Sequence, residues 1–157
     1  MKPIYHYTTA DRLMMIFDSE KIIPATVGVM PPEIPAVWLS VSPTWENTAT
    51  KGIVVDGIRR DATFEEMIED TGSLVRIEID PGQVRIIPPL KIRESLRMPR
   101  PTLDALTKAA RAMGANPAEW RAVAGEVPLS AFLRIELCKE SSPLRWVDAE
   151  SLESGGD

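Results

Sequence analysis

Ile4-Tyr5-His6-Tyr7-Thr8-Thr9-Ala10-Asp11 decides how this chain reads, because a β-rich run holding its only histidine passes straight into a helix. Leu13, Ile16 and Phe17 follow at the spacing of one apolar helix face. The histidine therefore sits where a strand ends. There it lies beside the unpaired N–H groups of a helix start, which suit a ligand carrying phosphates or hydroxyls. A strand histidine satisfied by a neighbouring carbonyl is the plainer alternative.

About thirty residues on, Ala36-Val37-Trp38-Leu39-Ser40-Val41-Ser42-Pro43-Thr44-Trp45 reads as a second strand running into a second helix. Val37 to Val41 is β-rich, and Ser42 is placed to cap a helix whose first position would be Pro43. Trp45 then falls in the first helical turn.

Taken together, Tyr5-His6-Tyr7-Thr8 and the Trp38–Ser40–Trp45 segment resemble the NAD-binding half of mono-ADP-ribosyltransferases, in particular the diphtheria-toxin-like His-Tyr-Glu class. In that class a Tyr-His-Gly-Thr-like strand end is followed by a helix, and here Tyr7 stands where Gly is common. The class also has a tyrosine in its second motif, where this chain offers Trp38 or Trp45. A sibling Arg-Ser-Glu class fits less well, since its first-motif arginine is replaced by His6. The class's third element is a glutamate near the C-terminal end, and the best match is Glu126 in Gly125-Glu126-Val127-Pro128-Leu129-Ser130. Glu119 reads instead as the partner of Asn116 in a helix capping box, and Glu136 as an outward strand residue.

The resemblance implies an α+β fold, an ADP-ribosyltransferase-like split β-sandwich around an NAD cleft with flanking helices, over residues 1–149. It implies NAD as co-substrate, held by His6, Tyr7, Thr8, Trp38, Ser40 and Trp45, with ADP-ribose passed to a macromolecular acceptor, a protein first of all, and nicotinamide released. Glu126 would be the catalytic group: breaking the nicotinamide–ribose bond leaves positive charge on the ribose, which a fixed carboxylate stabilises in a water-poor site. An indole face such as Trp38 can stack on the pyridinium for about 0.5–2 kcal/mol. Same-fold alternatives are an NAD glycohydrolase and a nucleic-acid-modifying toxin with a cognate antitoxin or inhibitor. A non-catalytic binding or blocking protein is the alternative from another class.

Composition narrows the other possibilities. With 157 residues, 44% of them hydrophobic, one domain with a sizeable core is expected. Cys138 is the only cysteine and reads as a strand residue, so no intramolecular disulfide forms. One His and one Cys leave no metal site of the zinc type, and no Gly-rich phosphate loop is present. The absence of a leader or an apolar run long enough for a bilayer points to a cytoplasmic protein without a membrane partner. A net charge of −5 disfavours nucleic acid. Arg59-Arg60 and Lys91, Arg93, Arg97 and Arg100 read as a solvated face, or as partners of a pyrophosphate or acceptor.

Elsewhere the spacing predicts a loop over 30–35, a helix opened by the Thr63–Glu66 capping box, and strands over 74–80, 84–87 and 132–137. A helix over 102–113 ends at Gly114, the Asn116-capped helix follows, and residues 150–157 read as a disordered polar tail.

Overall fold

The computed structural model describes residues 2–150. β1 (Tyr5–Thr9) leads into α1 (Ala10–Ser19) and the short β2 (Lys21–Ile22), but the strand pairs with β6 through Thr9, so His6 is its second residue and not its end beside the helix N-terminus. β3 (Ala36–Ser40) follows the proline-rich loop, then come the hairpin β4 (Gly52–Val55) and β5 (Ile58–Asp61), α2 (Phe64–Thr71) and β6 (Leu74–Ile79). α3 (Ile92–Ser95) and α4 (Arg100–Ala112) precede β7 (Trp120–Ala124), β8 (Val127–Pro128), β9 (Phe132–Cys138) and β10 (Val147–Asp148). The predicted tail beyond residue 150 lies outside the described residues.

Six strands form one antiparallel sheet in the order β10-β9-β6-β1-β3-β7, while β2 with β8 and β4 with β5 make separate two-stranded ribbons. The chain is thus α+β with an antiparallel sheet, but its strands are not dealt into two large facing sheets. The sheet is instead opened within its own plane. β1 pairs with β6 at five positions and β3 with β7 at five, yet β1 and β3 meet only at Tyr5↔Ser40.

Alternation assigns the apolar residues to two faces. Val37, Leu39, Val75, Ile77, Ile79 and Val123 point to one side, where α1 covers them with Leu13 and Ile16 and the β2–β8 ribbon adds Ile22 and Val127. The other side carries two clusters. Ala36, Ala122 and Trp120 pack with Ile92, Leu96 and Ala110 of α3 and α4, and Tyr5, Tyr7 and Leu74 pack with Trp45, Met67 and Ala62. Between these two clusters an opening remains.

Several local signals hold and several yield to tertiary packing. Thr63 and Glu66 form the expected capping box of α2. Phe17 of the predicted α1 face is 43% exposed, and Glu136, read as outward, is buried against Arg76. Val84 to Ile87 is no strand and contributes only the bridge Ile87↔Ala122. Asn116 caps a single 3-10 turn, Pro117–Glu119, with its side chain accepting from Ala118 N, and the Glu119 side chain returns no bond. The helix expected at Ser42-Pro43 is absent, and a 3-10 turn at Asn47–Ala49 stands later. Ser42 spends its hydroxyl on the Trp45 carbonyl at 2.8 Å, and Trp45 is drawn into the aromatic cluster beside Tyr7 and Phe64. Burying that indole outweighs a helix start of modest local propensity.

Candidate functional site

The opening is a cavity of about 420 Å³, walled by β1, β3 and Trp120 on the sheet side, by α4, and by the loop after β3. Its lining includes the consecutive residues Tyr5-His6-Tyr7 and Trp38-Leu39-Ser40. Consecutive strand residues belong to opposite faces, so the cavity enters the gap between β1 and β3. The volume falls in the range of small-molecule sites, about 300–1,000 Å³.

Backbone bonds show which groups face that gap. The Ile4 carbonyl accepts from Ile79 N and the Ala10 amide donates to the Ser73 carbonyl, so even-numbered residues of β1 turn their backbone to β6 and the odd-numbered ones turn to β3. On β3, Val41 N donates to the Glu119 carbonyl, which leaves the even-numbered residues facing β1. Tyr7 and Trp38 therefore present backbone groups to one another across the opening. His6 bridges it: its Nδ1 lies 3.0 Å from the Trp38 carbonyl.

A carbonyl only accepts, so Nδ1 carries the proton and Nε2 remains an acceptor in the neutral ring. Loss of water around the ring lowers the His6 pKa below the usual imidazole value, and the Arg12 charge pushes the same way, against the raising effect of the Trp38 carbonyl. The histidine is thus held neutral and oriented. Its Nε2 is an acceptor able to take a hydrogen bond from a donor.

The carboxylate of the cavity is Glu46, which is buried. Its Oε1 accepts from Ser40 Oγ at 2.9 Å. Its Oε2 takes Thr48 Oγ1 at 2.5 Å, Thr48 N at 3.2 Å and the Trp120 indole N–H at 3.4 Å. These donors fix the group in one orientation and compensate its loss of water. Trp120 also meets Trp38 edge to face, with ring centroids 5.9 Å apart, so two indoles wall the same space.

The loop carrying Glu46 is tied down at both ends. Asn47 Nδ2 donates to the Met113 carbonyl at 2.9 Å at the end of α4, where Gly114 adopts φ +78° and a Cβ would come within 3.2 Å of that same amide nitrogen. On the other side Arg76 Nη1 donates to the Pro43 carbonyl at 2.7 Å and Trp146 Nε1 to the Thr44 carbonyl at 2.9 Å. The Arg76 guanidinium is ion-paired with Glu136 and lies over the rings of Tyr5 and Trp146, at 4.4 and 4.7 Å from their centroids.

Of the residues expected to form the site, His6, Tyr7, Trp38 and Ser40 line the cavity. Three are placed elsewhere. Thr8 is buried in β1 and does not reach the lining, and Trp45 packs into the aromatic core, its indole N–H donating to Thr50 Oγ1 at 3.0 Å. Glu126 lies in the turn between β7 and β8, where its carboxylate pairs with Lys21 at 3.3 Å and is half exposed. Tyr7 lines the cavity, but its hydroxyl is taken by the Ser42 carbonyl and its ring meets Trp45 at 5.2 Å. Bulk at that position goes into the core. Sequence reasoning missed Glu46 and Trp120, and only the rarity of tryptophan, four in the chain, could have drawn attention to the latter.

Among the described residues no group of three or more His, Cys, Asp or Glu could hold a metal ion, and no helix is long and apolar enough to cross a membrane. Comparison with family models, curated proteins and solved structures returns no match for this chain.

Proposed function

We propose that this chain binds NAD in the cavity between β1 and β3 and transfers ADP-ribose from it to a macromolecular acceptor, releasing nicotinamide, with the fold of a split-sheet ADP-ribosyltransferase. The observation that carries this reading is the parting of β1 from β3 after a single pairing, with His6 fastened across the gap to the Trp38 carbonyl. A parted pair of strands offers backbone donors and acceptors to a carboxamide, and Trp38 and Trp120 offer faces to a pyridinium. The His6 Nε2 would accept from a ribose hydroxyl.

In this reading the carboxylate role moves from Glu126 to Glu46. The bond between nicotinamide and ribose breaks with its electron pair going to the nicotinamide nitrogen, and the acceptor's oxygen or nitrogen forms the new bond and loses its proton to solvent. Glu46, which accepts from the Trp120 indole N–H in the cavity wall, would stabilise positive charge developing on the ribose, and its donors would keep it from reorienting as that charge appears. A second reading rests on those same bonds: a carboxylate so fully engaged also suits a binding protein that holds NAD without cleaving it.

Calorimetry with NAD, followed by incubation with adenylate-labelled NAD and a cell lysate, tests both. Binding with nicotinamide release and label transfer supports the enzyme. Binding without release supports the second reading, and absence of binding overturns both.

A further inference from the structure

The protein is acidic overall, but its charges are not evenly spread. Residues 83–121, which include α3 and α4, carry eight Lys and Arg against Glu94, Asp104 and Glu119, a local excess of five positive charges in a chain of net −5. The remainder of the chain therefore carries a net charge of −10. Arg93, Arg97, Arg100, Lys108 and Arg111 are all exposed, and among the described residues none has an ion-pair partner. Helical spacing sets Arg100, Lys108 and Arg111 in one stripe of α4 about 16 Å long at 1.5 Å per residue, and Asp104 is the one acid within it. Arg93 and Arg97 stand at the adjoining α3 corner, where Ile92 and Leu96 are buried and hold the arginines outward.

The stripe lies on the side of α4 away from Leu106, Ala109 and Met113, which line the cavity. It is the outer face of the cavity wall.

We propose that this face docks the phosphate backbone of a nucleic-acid strand, and, resting on the reading above, that the acceptor of ADP-ribose is nucleic acid. Four of the five unpaired cations are arginines, whose planar forks match phosphate oxygens in pairs. The stripe's length, about 16 Å, is enough to meet several successive phosphates of one strand. A strand lying along α4 is held within about one helix diameter, ~10 Å, of the cavity. The acidic remainder of the protein keeps such a strand on this one face.

The test measures binding of fluorescein-labelled single-stranded DNA, single-stranded RNA and duplex DNA by anisotropy at several salt concentrations, without NAD, and compares them with labelled poly-glutamate. Micromolar or tighter binding of a nucleic acid is expected at about 50 mM salt, weakening steeply with salt. Arg93→Gln/Arg100→Gln/Arg111→Gln should lower the slope of log affinity against log salt by about 2–3 and weaken binding at least tenfold. Arg59→Gln, outside the face, should bind as the wild type, and thermal melts of all variants should coincide. Unchanged binding by the triple variant, tighter binding of poly-glutamate than of any nucleic acid, or no salt-dependent binding overturns the docking. Docking with label from adenylate-labelled NAD entering protein and not nucleic acid overturns only the acceptor assignment. Docking without nicotinamide release overturns the enzyme reading above and with it that assignment, and NAD cleavage without docking overturns the docking and leaves the cavity reading intact.

Discussion

Ser40 Oγ donates to Glu46 Oε1 at 2.9 Å while accepting from Ser42 N at 3.1 Å, so one buried hydroxyl couples the end of β3 to the carboxylate of the cavity. Through it the strand sets where the negative charge stands. Asn47 and Arg76 then hold the loop that carries Glu46 from its two sides.

Glu46→Gln should reveal whether that charge is structural, catalytic or both. An amide must turn its NH₂ toward either Ser40 or the Thr48–Trp120 pair, all of which are donors here, so a loss of about 1–3 kcal/mol in denaturant unfolding is expected. In the enzyme reading nicotinamide release should fall by about 10²–10³-fold in protein that remains folded. Unchanged release by folded Glu46→Gln removes Glu46 from the chemistry.

Glu126→Gln should do almost nothing. The carboxylate is half exposed and its one partner, Lys21, is itself 40% exposed, so the pair contributes no more than about 0–1 kcal/mol. NAD titration and urea unfolding of this variant should overlay the wild type. A large loss of turnover with intact folding would return Glu126 to the site.

Stability should depend on pH through His6. Its folded pKa lies below the ordinary value of about 6.5, so the unfolded chain binds the proton more readily and the stabilisation is present above that value. As pH falls from about 6.5 toward the lowered folded value, the unfolded state takes up a proton that the folded state refuses, and stability declines. Melting curves of wild type and His6→Gln between about pH 7.5 and 5 should show a steeper decline in the wild type. Parallel curves would contradict the lowered pKa.

Arg76→Met should be among the most damaging single substitutions. It leaves Glu136 buried without its main partner and frees the Pro43 carbonyl, for an expected loss of about 3–5 kcal/mol. Arg76→Met with Glu136→Leu should recover a substantial part, since a pair replaced by apolar groups leaves no stranded charge. Denaturant midpoints of the single and double variants decide this. A double variant as unstable as Arg76→Met alone would assign the damage to the lost loop contact.

The first strand and helix, the α2 capping box and the strands over 74–80 and 132–137 were all legible in the sequence, because each depends on neighbours within a few residues. Misreadings cluster where a local signal competes with distant packing. Ser42-Pro43 carries the marks of a helix start, yet the indole of Trp45 gains more from Tyr7, Phe64 and Trp146 than one helical turn would provide. Glu136 alternates as an outward residue, but Arg76 on the adjacent strand β6 and Trp146 beyond make its side of the sheet an interior.

What the sequence determined by itself is most of the local elements and the placing of its one histidine in the first strand, since propensity, periodicity and capping act over short distances. Only the tertiary structure decided which carboxylate stands in the cavity. Glu46, Ser40 and Trp120 come from the loop after β3, the end of β3 and the start of β7. Their meeting depends on the register Ser40↔Trp120 and on the parting of β3 from β1. A charge so enclosed needs all its donors at once, and no spacing along the chain announces an arrangement that exists only when the strands are laid side by side.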